Sequence, residues 1–131
     1  MKLNILVAFL LVHLGIGLPD AHAQGEDPLY VVTTLSTYAD MARRVGGDRV
    51  EVEALVVGNQ DPHYVRPRPS LAEKLARADL FVSTGLDLEI WVPGLVDLAA
   101  NPEIRSGQRR YVSASHGLEL LEIPQVLSQS E

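Results

Sequence analysis

The chain has 131 residues, 47% of them hydrophobic and 5% aromatic, with 11 basic side chains against 17 acidic ones and no cysteine. That length allows one small domain, and a net charge of −6 excludes a nucleic-acid surface, which needs clustered Lys and Arg to release counterions from phosphates. Without cysteine there are no disulfides, zinc-thiolate sites, iron–sulfur clusters or thiol nucleophiles.

The first element is an export signal. Met1 and Lys2 give a charged start, Leu3 to Leu18 form a run that is apolar but for Asn4 and His13, Pro19 breaks it, and Ala21-His22-Ala23 supplies the small residues a signal peptidase reads. The sixteen residues from Leu3 to Leu18 would reach about 24 Å as a helix, short of the ~30 Å hydrocarbon core of a bilayer. Residues 1–23 are therefore read as a signal peptide, which takes His13 and His22 with it. Of the 131 residues, the 108 from Gln24 to Glu131 remain as an exported, periplasmic and not membrane-spanning chain.

Strands and helices then alternate. Leu29 to Thr34 is β-branched and apolar at successive positions, as in a strand buried on both faces. Ser36 or Thr37 can cap a helix with Asp40 in its first turn, Tyr38, Met41, Ala42 and Val45 fall at helical spacing, and Gly46-Gly47 stops it. Val50 to Leu55 alternates apolar and acidic residues, as expected of a strand with one wetter face at a sheet edge. After a loop over 57–69, Ser70-Leu71-Ala72-Glu73 has the form of a capping box, with Leu71, Leu75 and Ala78 on one side of a short helix. Leu80 to Ser83 is a third strand, followed by Gly85. The next helix must start between Asp87 and Ile90 so that Pro93 falls in its first turn. Asn101-Pro102 ends it, Tyr111 to Ala114 forms a fourth strand, and Leu118 to Ile123 is a short apolar stretch.

This alternation implies an α/β fold, a parallel four-stranded sheet with helices on both faces. Ligands of such open sheets bind beyond the carboxyl ends of the strands. The loop after Leu55, the turn after Ser83 and the residues after Thr34 all lie at that rim.

The loop carries Asp61-Pro62-His63-Tyr64-Val65-Arg66-Pro67-Arg68-Pro69-Ser70, in which Pro62, Pro67 and Pro69 restrict the backbone and make the loop stiff. A stiff loop at the strand-end rim holds His63 in a defined direction, and a neutral imidazole is the commonest protein ligand for zinc. A solvated loop histidine is the competing reading, and the loop residues alone leave both open. Other chemistry finds little footing. There is no G-x-S-x-G elbow, G-x-G-x-x-G turn or phosphate-binding loop, so an enzyme is not expected. Asp87 and Glu89 read as first-turn complements to a helix dipole, Arg66 and Arg68 as solvated charge, and Trp91 with Phe81 as aromatic core.

Val45-Gly46-Gly47-Asp48-Arg49-Val50, then Asp61-Pro62-His63 and Pro67-Arg68-Pro69-Ser70, then Ala78-Asp79-Leu80 and Gly85-Leu86-Asp87-Leu88-Glu89-Ile90-Trp91 follow one another in order. In these blocks the chain resembles the zinc/manganese class of ABC-transporter solute-binding proteins from about Leu29 to Pro124. The resemblance implies a receptor of two α/β lobes joined by a long helix, which captures Zn²⁺ or Mn²⁺ in the cleft and delivers it to an ABC transporter permease in the inner membrane. It also implies that His63, the histidine of the D-P-H motif, is the first metal ligand. The remaining ligands of the family lie at the linking region and in the second lobe, so residues 24–131 correspond to an N-terminal lobe without the linking helix and second lobe, as in a truncated or partial receptor. His116 matches no ligand position and reads as a surface residue. One imidazole, taken as about a quarter of the roughly 10–16 kcal/mol of a complete zinc site, gives a millimolar dissociation constant, so the ion would be weakly bound by this chain alone. An exported α/β interaction or adhesion module without metal is the alternative.

Overall fold

A computed structural model describes residues 27–119. The signal peptide reading of 1–23 and most of the Leu118–Ile123 stretch lie outside the described residues. The elements in chain order are β1 (Leu29–Leu35), α1 (Ser36–Gly46), β2 (Val50–Val56), α2 (Pro69–Arg77), β3 (Leu80–Ser83), α3 (Val92–Ala99) and β4 (Tyr111–Ser113), with single 3₁₀ turns at Gly47–Arg49 and Pro102–Ile104. The strands form one sheet in the order β2-β1-β3-β4, and every pairing is parallel. Val31 of β1 sits opposite Val52 on one side and Leu80 on the other.

The β-branched run of β1 is the interior strand, with Val31, Val32, Thr33 and Thr34 all buried. Its side chains alternate between two cores, as the pleat requires. Val32 joins Leu55, Leu71, Leu75, Phe81, Trp91, Leu95 and Ile104 beneath α2 and α3, while Val31 joins Val52 and Ala39 beneath α1. Helices thus cover both faces. The alternating strand β2 is an edge, as its acidic wet face implied.

Four local expectations are corrected. First, α1 is preceded by Leu35 with no side-chain cap, Ser36 is already helical, and Asp40 lies past the first turn, paired instead with Arg43 at 3.0 Å. Second, α1 packs through Ala39 and Ala42, while Met41 and Val45 are 57% and 84% exposed. Small side chains let the helix lie close to the sheet, and the larger apolar residues are turned outward. Third, the capping box does not form. Pro69, whose ring fixes a helical φ, opens α2 one residue earlier, and the amides of Leu71 and Ala72 bond to Arg68 O at 2.9 and 3.1 Å. Fourth, α3 begins at Val92 rather than between Asp87 and Ile90, because Leu86 and Asp87 adopt left-handed backbone angles, φ 55° and 58°. Pro93 still falls in the first turn. Beyond α3, the Asn101 side chain donates to Leu75 O (3.1 Å), Ala76 O (3.4 Å) and Ala78 O (3.1 Å), closing the end of α2.

Candidate metal-binding rim

The carboxyl ends of the parallel strands present three segments on one rim: the loop 57–68 after β2, the turn 84–91 after β3, and residues 114–117 after β4. In the first, Asp61 opens a tight turn. Its carbonyl accepts the Tyr64 amide at 3.2 Å, and its Oδ1 accepts the His63 amide at 2.9 Å. The same Oδ1 lies 2.8 Å from His63 Nδ1. Donation by the His63 amide and ring lowers the Asp61 carboxyl from its usual value, the amide contributing most. An ionised carboxylate only accepts, so Nδ1 carries a ring proton, and in the neutral imidazole Nε2 keeps its lone pair. The His63 side chain is 52% exposed, and its ring tilts against Tyr64 with centroids 6.3 Å apart.

A surface depression of ≈ 550 Å³ runs from His63 and Pro67 to Ile90, Trp91 and Gly94. Trp91, 7% exposed, is among its lining residues, and the indole Nε1–H donates to the Pro62 carbonyl at 2.7 Å. Trp91 is core, as its sequence context implied, but it also reaches the loop that carries His63. That second contact is not visible in the sequence, because its partners are 29 residues apart.

The turn after β3 contains a side chain whose role the helix-dipole reading missed. Glu89 is only 5% exposed, and its carboxylate accepts the Thr34 hydroxyl at 2.6 Å, the Thr84 amide at 3.1 Å and the Gly85 amide at 3.3 Å. It therefore ties the ends of β1 and β3 to the segment carrying Trp91, rather than complementing a helix from solvent. Asp87 is exposed, as are Arg66 and Arg68. Gly85 has φ 83°, and a Cβ there would run into the hydroxyls of Ser113 and Ser115. His116, also exposed, follows β4. Among the described residues no group of three or more His, Cys, Asp or Glu side chains gathers in a metal-binding arrangement, and no helix is long and apolar enough to cross a membrane.

Comparison with known proteins agrees with the fold. The family model described as zinc-uptake complex component A, periplasmic, matches residues 31–130. The manganese ABC transporter substrate-binding lipoprotein PsaA of Streptococcus pneumoniae is 33% identical over 123 residues, covering 91% of this chain and 38% of its own length. The iron ABC transporter substrate-binding lipoprotein MtsA of Streptococcus pyogenes serotype M1 is 32% identical over 99 residues, covering 72% of this chain and 31% of its own. A crystal structure of ZnuA superposes with a TM-score of 0.60 at 28% identity, over 74% of this chain and 34% of that one. The chain thus spans between three-tenths and two-fifths of the length of these relatives.

Proposed function

We propose, from the fact that this chain belongs to the family of the periplasmic zinc-uptake complex component A, that residues 24–131 form the metal-receiving lobe of an ABC-transporter solute receptor. Its cargo is a divalent transition ion, Zn²⁺ or Mn²⁺, bound by His63 Nε2 in the periplasm and passed to an ABC transporter permease. The observation that carries this reading is the contact between Asp61 Oδ1 and His63 Nδ1, 2.8 Å. A metal-ligating histidine characteristically donates its other ring N–H to a carboxylate, which fixes the tautomer and raises the basicity of the ligating nitrogen. The exposed side chain and the open depression beside it leave that nitrogen accessible to an ion and to further ligands. The family reading also accounts for the absence of an enzyme motif, since the named relatives are substrate-binding components.

Because no group of three or more metal-ligating side chains gathers among the described residues, this chain should hold zinc through His63 alone, with a dissociation constant in the millimolar range. Site-resolved NMR of the histidine rings during a Zn²⁺ titration tests the assignment. His63 should saturate at about tenfold lower Zn²⁺ than exposed His116, since losing an outer-shell partner costs a ligand roughly 10- to 100-fold. His63→Ala should abolish the tighter phase. If His63 and His116 respond in parallel, or the tighter phase survives His63→Ala, His63 is not the ligand.

A further inference from the structure

We infer that Trp91 is the positioning residue of the metal-receiving loop, holding the Pro62–His63 peptide plane through its indole N–H. The inference rests on the reading of His63 as the ligand but makes a separate statement about what aims it. The Pro62 carbonyl and the His63 amide belong to one rigid planar unit. Trp91 Nε1 grips the oxygen side of that plane at 2.7 Å, and Asp61 Oδ1 grips the nitrogen side at 2.9 Å. A plane held at both edges resists rotation, and it fixes where the His63 Cα sits. The torsions that remain between plane and ring, φ, χ1 and χ2 of His63, are restrained together by the Nδ1 contact to the same Oδ1 at 2.8 Å. The two bonds to the plane also reinforce each other, since a carbonyl polarised by one donor makes the N–H of the same amide a better donor.

Trp91 can act as a fixed post because it is itself held. It is 7% exposed within the core. The Val92 amide after it bonds to Glu89 O at 3.0 Å, and the Glu89 carboxylate is bound by the ends of β1 and β3. The sheet is thus linked through Glu89 and Trp91 to the exposed loop, whose own residues lie largely in solvent.

The test separates the N–H from the bulk of the ring. Trp91→Phe keeps aromatic packing and removes the donor. Since the chain has one tryptophan, biosynthetic replacement by benzothienylalanine, with sulfur in place of the indole N–H, removes the donor at near-constant shape and serves if Trp91→Phe folds poorly. Phe81→Leu, in the fully buried core, is the control for a merely structural effect. Either donor-free variant should speed water exchange of the His63 and Tyr64 amides about fivefold, while sheet amides such as Val32 and Phe81 stay unchanged, and should weaken Zn²⁺ at His63 by a similar factor. Phe81→Leu should lower the melting temperature and leave both loop readouts in place. Exchange at His63 within twofold of the parent in both donor-free variants overturns the positioning role. The exchange arm contains no metal, so a failed Zn²⁺ titration of the parent chain overturns the function while exchange still decides the role of Trp91.

Discussion

Replacing Glu89 by glutamine is the sharpest probe of the rim, because it keeps the shape of the side chain and changes only the chemistry of one atom. Three donors meet two carboxylate oxygens: Thr34 Oγ1 at 2.6 Å and the Thr84 amide at 3.1 Å on Oε1, and the Gly85 amide at 3.3 Å on Oε2. An acceptor-only group satisfies all of them. Glutamine with its oxygen at the Oε1 position keeps two bonds and sets its NH₂ against the Gly85 N–H. The flipped amide instead sets its NH₂ against the Thr84 N–H, while the Thr34 hydroxyl turns to accept from it. Either arrangement leaves a half-buried amide donor unpaired, which costs about 1–3 kcal/mol, and it turns charge-assisted bonds into neutral ones at about 1 kcal/mol more. Relief of the carboxylate's desolvation offsets part of this, for a net loss of about 2–3 kcal/mol. At roughly 4–8 °C per kcal/mol for a domain near this size, Glu89→Gln should lower the melting midpoint by about 10–20 °C. Circular dichroism and the fluorescence of Trp91 should follow one transition. An unchanged or raised midpoint would show that desolvation outweighs the three bonds, and the account of Glu89 as the tie between β1 and the Trp91 segment would fail.

Gly85→Ala should destabilise by about 2–4 kcal/mol, read by denaturant unfolding, because the new Cβ combines a left-handed φ of 83° with overlap against the Ser113 and Ser115 hydroxyls. Acidification should separate metal binding from loop order. A ligating imidazole must be neutral, so protons compete with zinc and the Zn²⁺ response at His63 should weaken on acidification. Asp61 is instead lowered from its usual 3.8 by the His63 donors. Its depressed value means that its hold on the loop is present above the ordinary carboxyl value and is lost as the pH falls through the lowered one. Protection of the His63 amide should therefore persist at pH 5 while the zinc response weakens, and undiminished zinc binding at pH 5 would count against a histidine ligand.

What the sequence made legible follows from what each signal encodes. The strands were readable because burial on two faces selects a continuous β-branched run, as at Val31–Thr34, and an edge selects alternation, as at Val50–Leu55. Helix starts were less readable because serine, proline and the residue before them compete for the same turn. At α2 the preset φ of Pro69 prevailed over the hydroxyl of Ser70. The face of α1 was misread because hydrophobicity marks Met41 and Val45, whereas close approach to the sheet selects Ala39. The stiffness of the His63 loop could be read from its prolines, but its aim could not, since Trp91 and Pro62 are 29 residues apart and meet only after folding. Nor does any local pattern separate a buried Glu89 from a first-turn one, because its hydroxyl partner Thr34 is 55 residues away.

The late start of α3 ties these observations together. A helix beginning at Asp87 would satisfy the sequence pattern and spare the chain two consecutive left-handed residues, Leu86 and Asp87, each costing about 1–2 kcal/mol. It would also place Trp91 a full turn inside the helix. In the fold as it stands, Trp91 is the residue immediately before α3, and its indole reaches out of the core to Pro62. The three hydrogen bonds to Glu89 are of the right size, about 1–3 kcal/mol each to a charged acceptor, to offset the backbone strain of the turn. Strain confined to a loop beside a binding rim, and balanced by a buried anchor, is the pattern expected where geometry matters more than local stability. On this argument the turn 84–91 is shaped by the need to steady the exposed histidine across the rim, and the irregular start of α3 is the structural consequence.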